Sequence, residues 1–123
     1  MNLGITLVSH VPEITKGLNQ LLKQVAKDVP ITIAGGTNDQ DIGTSMDKIL
    51  QAFSDNQASE ILAFYDLGSA KMNLELAQEM TSKKIHVYDV SFIEGAYTAA
   101  ALVEAGVNLS EIEQQLEPLK IKK

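Results

Sequence analysis

His10 is the residue of this sequence whose position best suits chemistry. It follows the short apolar run 3–9 and comes just before Pro12, where a helical pattern begins. A histidine between a strand and the first turn of a helix leaves its imidazole free, and an imidazole with a pKa of about 6.5 is a competent nitrogen nucleophile at neutral pH. We therefore interpret His10 as a candidate nucleophile or base. The alternative is a histidine that is merely exposed or that caps the helix.

Asp66 is the natural partner of His10. It follows the apolar run 61–65 and opens the segment Asp-Leu-Gly-Ser-Ala. A carboxylate that accepts a hydrogen bond from one ring nitrogen fixes the tautomer and leaves the lone pair of the other nitrogen free to react. The same carboxylate would stabilise the cation that develops as the ring attacks phosphorus. The alternative is a simple turn residue, because Asp-x-Gly is common turn chemistry.

Glycine–hydroxyl pairs at residues 43–44 and 68–69 precede helical patterns. Each pair could offer a backbone N–H group and a hydroxyl to a phosphate. Each is equally consistent with a plain helix cap. Neither belongs to a Walker loop, and the chain carries no dinucleotide-binding fingerprint. The two histidines, His10 and His86, lack the spacing of paired metal ligands, so we predict neither a metal nor a cofactor.

The segments that must position these residues alternate between two hydrophobic periods. Four short apolar runs are predicted strands: 3–9, 30–34, 61–65 and 85–88. Between them, apolar residues recur at the spacing of one helix face. The sequence therefore predicts a strand–helix alternation repeated four times, followed by a last short helix.

The predicted helices have recognisable faces and ends. Thr44 and Ser69 are the predicted caps of the second and third helices. The fourth, alanine-rich helix is predicted over about 93–105 and stops at Gly106; its alanines serve internal packing or, alternatively, a dimer contact. Asn108 or Ser110 opens the fifth. The apolar stripes of the first three helices are Ile14, Leu18, Leu21, Leu22 and Val25; Ile42, Met46, Ile49, Leu50 and Phe53; and Met72, Leu76, Ala77 and Met80.

This alternation predicts a single open, doubly wound α/β domain over residues 1–123. We expect a mainly parallel sheet of order 2-1-3-4 with helices on both faces. Ligands of such sheets bind outside the carboxyl ends of the strands, where the strand order reverses. The loops after the first and third strands, with His10 and Asp66, therefore flank the predicted crevice. The loops after the second and fourth strands close its sides.

Composition narrows the function classes. The 123 residues carry a net charge of −6, which argues against nucleic acid as the main partner. All ten basic residues are lysines and there is no cysteine, so neither a guanidinium clamp on phosphate nor a thiolate site is possible. No run is long enough for a transmembrane segment and no basic leader precedes the first strand, so we predict a cytoplasmic protein. The basic tail 120–123 is predicted to fray.

Several segments together resemble the mannose-type IIA phosphocarriers of the phosphoenolpyruvate:sugar phosphotransferase system. They are Leu7-Val8-Ser9-His10, Ala34-Gly35-Gly36, Ile42-Gly43-Thr44, Asp66-Leu67-Gly68-Ser69-Ala70 and Ile93-Glu94-Gly95-Ala96. Within that group the chain is more similar to the phosphotransfer subunits (DhaM type) of phosphoenolpyruvate-dependent dihydroxyacetone kinase. Sugar-transport members typically carry Gly-Thr-His and Gly-Gly-Ser-Pro, where this chain has Val-Ser-His and Asp-Leu-Gly-Ser-Ala.

The resemblance implies a phosphotransferase with a phosphohistidine intermediate. His10 would accept the phosphoryl group from phospho-HPr and pass it to ADP held in the nucleotide-binding kinase subunit, and a further subunit would hold dihydroxyacetone. Asp66 would orient His10. Ser69 and Gly68, with Gly36 and Thr44, would hold the phosphate. The family also suggests a homodimer.

Other functions stay open at this point. A mannose-type IIA component would pass its phosphate to a sugar-permease IIB protein instead. A response-regulator receiver would carry a reactive aspartate after the third strand, where Asp66 stands, but it needs an acidic pair where this chain has Ser9 and His10. A non-catalytic sensing or interaction module would use the same crevice without phosphorylation.

Overall fold

The computed structural model describes residues 2–123. The strands are β1 (Leu3–Ser9), β2 (Ile31–Gly35), β3 (Glu60–Tyr65) and β4 (Lys84–Tyr88). The helices are α1 (Pro12–Lys23), α2 (Met46–Asp55), α3 (Lys71–Met80), α4 (Phe92–Glu104) and α5 (Leu109–Leu116). Short 3-10 turns at Gly68–Ala70 and Glu117–Leu119 precede α3 and follow α5. Each strand begins and ends within one residue of its predicted bounds.

All three strand pairs are parallel, in the order β2-β1-β3-β4. The predicted sheet order is therefore confirmed. The register pairs Val8 of β1 with Tyr65 of β3 and Ser9 of β1 with Gly35 of β2. β1 ends at Ser9, immediately before His10, and β3 ends at Tyr65, immediately before Asp66. The fold thus brings these two loops to the same edge of the sheet.

Helices cover both faces of the sheet, as predicted. One face packs against α1, α4 and α5 around fully buried side chains such as Leu7, Phe64 and Ile112. The other face packs against α2 and α3 around Ile49, Phe53 and Tyr65. Burial of each such side chain contributes about 1.5–3 kcal/mol to folding. Helices packed on both faces therefore support the sheet, and the buried alanines of α4 (Ala96, Ala99 and Ala100) serve this internal packing.

The predicted face of α3 is wrong except at Ala77. Met72 and Met80 are 73% and 62% exposed, and Leu76 is 45% exposed, whereas Leu74 is fully buried. Leu74 and Ala77 face the sheet, together with Ala70 of the preceding 3-10 turn. Two apolar stripes overlap in this segment, and the one with small alanines allows the helix to approach the sheet more closely. Ile42, placed on the second helix from the sequence, precedes α2 and is 78% exposed.

The predicted helix caps also need correction. The hydroxyl of Ser45, not that of Thr44, accepts the N–H of Lys48 at 3.2 Å, because α2 begins at Met46. Ser69 caps nothing: α3 follows directly from the 3-10 turn, and no side chain caps its first turn. At α5 the choice between two candidates falls on Asn108, whose side chain accepts from the N–H of Glu111 at 2.9 Å.

The tail predicted to fray is held in place. Val90 and Lys120 form an antiparallel bridge, and the N–H of Ile121 donates to the carbonyl of Asp89 at 3.0 Å. Lys123 donates to two further backbone carbonyls. The prediction was wrong because backbone pairing with the loop after β4 is invisible in the composition of a short basic segment. Within residues 2–123, no helix has the length and apolar character needed to cross a bilayer.

Candidate active site

His10 and Asp66 lie where β1 and β3 end, next to each other in the sheet. β1 is the strand at which the chain order reverses, because α1 leads from it to β2 on one side while β3 lies on the other. His10 Nδ1 is 3.0 Å from Asp66 Oδ1. The two side chains keep 17% and 13% of their surface exposed. The pair is therefore largely shielded from solvent and still reachable from outside.

The Asp66 carboxylate accepts four hydrogen bonds. Oδ1 accepts from the His10 ring at 3.0 Å and from the N–H of Leu67 at 2.7 Å. Oδ2 accepts from the Ser9 hydroxyl at 2.8 Å and from the N–H of His10 at 3.0 Å. Both oxygens are thus fully used as acceptors. This geometry fixes the carboxylate in one orientation toward the ring.

The hydrogen bonds decide the ionisation of Asp66. Burial alone would raise the pKa of this carboxyl, but the donors from His10, Ser9 and Leu67 outweigh burial and hold the pKa below its ordinary value. At neutral pH Asp66 is therefore a carboxylate, which has no hydrogen of its own to donate. The hydrogen shared with His10 must come from the ring, and we assign the tautomer with hydrogen on Nδ1 from this network.

The other ring nitrogen faces Ser69. The Ser69 hydroxyl is 2.8 Å from His10 Nε2. With its hydrogen on Nδ1, the neutral ring has a lone pair on Nε2, so the hydroxyl donates to it. Ser69 is exposed and sits in the 3-10 turn before α3. The sequence suggested Ser69 both as a helix cap and as a phosphate ligand. The structure shows no cap, and the hydroxyl is directed at Nε2 of the predicted nucleophile.

Ser9 is a member of the site that the sequence analysis did not single out. Its fully buried hydroxyl donates to Asp66 and accepts the N–H of Val11 at 3.1 Å. This hydroxyl therefore ties the end of β1, the start of α1 and the carboxylate together. The strand register explains this contact. Val8 pairs with Tyr65, so Ser9, the next residue, lies level with Asp66.

Two further predicted phosphate ligands, Gly36 and Thr44, make hydrogen bonds within the protein. Gly36 has a φ of +77° and donates its N–H to the carbonyl of Ser9 at 3.0 Å, so this group is already engaged. A Cβ there would lie 2.8 Å from the carbonyl oxygen of Asp41, which requires glycine. The hydroxyl of Thr44 accepts from the side chain of Asn73 at 2.9 Å, and this bond links the loop before α2 to α3.

Gly68 opens the 3-10 turn between Asp66 and Ser69. The first N–H groups of such a turn have no partner within it. Gly68 and Ser69 therefore offer donors beside the His10 ring. His86, by contrast, lies in β4, with Nε2 2.6 Å from Glu60 Oε2 on the neighbouring strand. It hydrogen-bonds to Glu60 within the sheet and takes no part in the His10 cluster.

Comparisons with known proteins agree with this geometry. Residues 4–113 match the model of the EIIA-man family, described as the PTS system fructose IIA component. The chain is 49% identical, over the full length of both chains, to the PTS-dependent dihydroxyacetone kinase, phosphotransferase subunit DhaM, of Lactococcus lactis subsp. lactis. It is 40% identical to the PEP-dependent dihydroxyacetone kinase 1, phosphoryl donor subunit DhaM, of Listeria innocua serovar 6a, covering 97% of this chain and 96% of that one.

A solved structure is similar over almost the whole chain. The crystal structure of the unknown-function protein EF1359 superposes with a TM-score of 0.86 at 31% identity, covering 99% of this chain and 98% of that one. The family match spans both loops that carry the site, from before His10 to beyond Ser69. The chain belongs to the EIIA-man family of phosphotransferase-system IIA components.

Proposed function

We propose that this chain is the phosphoryl-carrier subunit of a phosphoenolpyruvate-dependent dihydroxyacetone kinase. In this proposal His10 takes the phosphoryl group from phospho-HPr and delivers it to ADP bound in the nucleotide-binding kinase subunit, and the ATP formed serves the subunit that holds dihydroxyacetone. The observation that carries the proposal is the hydrogen-bonded row Asp66–His10–Ser69 at the sheet edge. The names of two relatives that match almost the whole chain, both subunits of a dihydroxyacetone kinase, support the same kinase system.

The geometry favours His10 Nε2 as the phosphorylated atom. Nδ1 holds a hydrogen and donates it to Asp66, whereas Nε2 has the free lone pair. In the transfer, a bond forms between Nε2 and phosphorus while the bond between phosphorus and the donor's nitrogen breaks. The ring then becomes cationic, and the Asp66 carboxylate stabilises that charge through Nδ1–H. No proton has to leave the site.

Ser69 and Gly68 would receive the phosphoryl group. The Ser69 hydroxyl can turn from Nε2 to a phosphoryl oxygen, since both are acceptors and the side chain is exposed. The N–H groups at the start of the 3-10 turn add donors without any cationic clamp. Weak retention of this kind suits a carrier, which must release its phosphoryl group to the acceptor. Gly36 and Thr44 would contribute by shaping the neighbouring loop.

Phosphorylation with purified components tests the proposal. Incubation with phosphoenolpyruvate, enzyme I and HPr should add one phosphate that is acid-labile and base-stable, as expected of a phosphoramidate. His10→Ala should abolish labelling, while the matched variant His86→Ala should keep it. Label that persists on His10→Ala would contradict the assignment of the site. Size-exclusion chromatography with light scattering tests the homodimer that the family resemblance suggests.

A second acceptor is favoured by one observation, the family description as a IIA component. In that case the phosphate would pass to a sugar-permease IIB protein. Mixing the phosphorylated chain with an ADP-loaded kinase subunit, and separately with a IIB protein, distinguishes the two by which one removes the label. A receiver-type phosphoaspartate at Asp66 is disfavoured, because four hydrogen bonds already occupy its oxygens.

A further inference from the structure

The segment 120–123 lies against the edge of the sheet that carries the site. Lys120 pairs with Val90 in an antiparallel bridge, and Ile121 donates its N–H to the carbonyl of Asp89. On the preceding residue, the carbonyl of Leu119 accepts the N–H of Ser91 at 2.9 Å. These two backbone hydrogen bonds, which form the bridge, run the tail along the loop that follows β4. They direct Lys123 toward the end of β3.

The ammonium group of Lys123 joins two strand ends. It donates to the carbonyl of Tyr65 and to the carbonyl of Val90, each at 2.6 Å. It also lies 4.1 Å from the centre of the Tyr65 ring, within the range of a cation–π contact. Tyr65 is the last residue of β3 and is directly followed by Asp66. The lysine therefore holds the peptide group from which the Asp66 loop starts.

Tyr65 is held at its other end as well. Its hydroxyl donates to Asp89, whose second carboxylate oxygen accepts from Lys71 at 2.8 Å. The Tyr65 side chain is fully buried. Burial would raise the pKa of Asp89, but the bonds from Lys71 and Tyr65 hold it below its ordinary value, so this anchor stays charged. The carbonyl and the hydroxyl of Tyr65 are thus both held by hydrogen bonds, immediately before the loop that carries Asp66.

The partners of Lys123 fit a charge withdrawn from water. Burial lowers the pKa of this lysine, while the charges of Asp89 and Asp66 act in the opposite direction. A cation in such a position is tolerated only when hydrogen-bond acceptors replace the lost water. Two carbonyls and an aromatic face supply that replacement. Lys122, the neighbour in sequence, is exposed and gives a matched lysine for comparison.

The backbone of Lys123 also supports the loop from outside. A Cβ added to Gly68 would lie 2.5 Å from the carbonyl carbon of Lys123. Gly68 stands between the two residues that hydrogen-bond the His10 ring, Asp66 on one side and Ser69 on the other. The close approach of tail and loop therefore requires the glycine. Any residue with a side chain there would push the tail and the loop apart.

We propose that the segment 120–123 forms one wall of the phosphoacceptor site and that Lys123 is a positioning residue of that site. By holding the carbonyls of Tyr65 and Val90, it fixes the loop that places Asp66 and Ser69 on the two ring nitrogens of His10. This inference rests on the proposed function only where phosphorylation is the readout. The tautomer of the His10 ring gives a second readout that does not depend on it.

The test compares Lys123→Met, Lys123→Gln and Lys122→Met with the unchanged chain. Methionine keeps most of the side-chain length but removes the donor, and glutamine keeps an N–H donor without charge. Phosphoramidate, a small donor that transfers its phosphoryl group to an imidazole nitrogen and releases ammonia, measures the rate at His10 without a partner protein. Nitrogen-15 NMR of the imidazole reports which ring nitrogen bears the hydrogen.

We expect Lys123→Met to slow phosphorylation of His10 about tenfold, because a small misplacement of a reacting pair is costly. The Nδ1–H tautomer should lose population in the same variant. Lys123→Gln should lie between it and the unchanged chain, and Lys122→Met should match the unchanged chain in both readouts. Gly68→Ala, which displaces the tail sterically, should reproduce the effect of Lys123→Met.

Three results would overturn the inference. The first is an unchanged rate and tautomer in Lys123→Met, and the second is equal losses in Lys122→Met. The third is a fall in melting temperature of Lys123→Met with an unchanged tautomer, which would make Lys123 a stabilising residue only. If Lys123→Met does not fold, Lys123→Gln and Gly68→Ala decide by the same criteria. Failure of the unchanged chain to accept phosphate would refute the proposed function, whereas the tautomer comparison would still test the role of Lys123.

Discussion

At the residue scale, the site depends on where a single hydrogen lies. The carboxylate of Asp66 receives four donors, so it stays ionised and obliges the His10 ring to keep its hydrogen on Nδ1. The free lone pair is thereby assigned to Nε2. In the proposed transfer, such preorganisation would lower the barrier, because neither the ring nor the carboxylate would have to reorient.

The variant Asp66→Asn tests this arrangement. Asparagine keeps the size of the side chain but loses the negative charge, and its NH2 group can present a donor to Nδ1 and so favour the wrong tautomer. We expect phosphoryl transfer to slow by about 10²-fold or more, the range of a positioned acid–base partner. Rapid-quench transfer from phospho-HPr measures it. Rates equal to those of the unchanged chain would reduce Asp66 to a turn residue.

The lowered pKa of Asp66 also predicts a pH dependence of stability. Because the folded-state pKa lies below that of the unfolded chain, ionised Asp66 stabilises the fold at pH values above the ordinary carboxyl pKa of about 4. This contribution is lost as the pH falls through that value toward the folded-state pKa. The difference in unfolding free energy between the unchanged chain and Asp66→Asn should therefore shrink as the pH falls below about 4. Urea unfolding at several pH values measures it, and a difference that does not change with pH would contradict the assigned shift.

Sequence reasoning named His10, Asp66 and Ser69, but it did not single out Ser9. His10 and Asp66 follow apolar runs, and strand alternation is enough to bring such residues together. The bonds of Ser9 and the direction of the Ser69 hydroxyl depend on loop geometry within a few tenths of an ångström. Capping preferences are averages over many helices. They cannot distinguish a serine that caps a helix from one, such as Ser69, whose hydroxyl hydrogen-bonds to another side chain.

At the element scale, the strands were predicted more reliably than the helix faces. Short β-branched runs such as Ile31–Gly35 have few alternative interpretations, whereas the segment that forms α3 carries two overlapping apolar stripes. The choice between them is made by packing, because Ala70 and Ala77 fit close to the sheet while the methionines do not. Hydrophobic periodicity predicts that this segment is a helix, whereas the size of its residues determines which face packs against the sheet.

The cap of α5 gives a prediction with an internal control. The side chain of Asn108 accepts the N–H of Glu111, so Asn108→Ala leaves that first-turn donor without its partner. We expect it to lower the free energy of unfolding by about 1 kcal/mol. Ser110, the other candidate from the sequence, is exposed inside the helix, so Ser110→Ala should have a smaller effect. Chemical denaturation of both variants measures the difference, and equal effects would contradict the assignment of the cap.

At the scale of the whole molecule, lysine ammonium groups connect loops by donating hydrogen bonds to backbone carbonyls. The chain has no arginine, and three lysines donate to pairs of backbone carbonyls: Lys48 at the end of β2, Lys83 at the end of α2 and Lys123 at the end of β3. Two of the three, Lys48 and Lys123, serve loops at the sheet edge that carries His10. Composition alone could not predict this, because an exposed surface charge and a carbonyl-binding lysine look identical in a sequence.

We expect binding of the proposed phosphoryl donor to depend on the surface around His10 as well as on the site itself. The net charge of −6 predicts long-range attraction to a donor that presents a basic face. An alternative is a dry contact made by apolar residues at the rim, for which the sequence suggests Val11, Leu67 and Phe92. Of these, Leu67 is 59% exposed, whereas Phe92 is packed against the core and is a poor probe. Leu67 therefore provides the decisive variant.

Salt and mutation together separate the two modes of docking. Raising salt from about 0.05 M to about 0.5 M shortens the screening length from roughly 14 Å to roughly 4 Å. Stopped-flow transfer should then show a slower association rate with an unchanged transfer step, because only the approach of the partners depends on long-range charge. A flat salt response, with Leu67→Ala weakening docking, would favour the apolar contact instead. Met80→Ala serves as control, since Met80 is 62% exposed but lies at the far end of α3 from the site, so it should behave as the unchanged chain in both experiments.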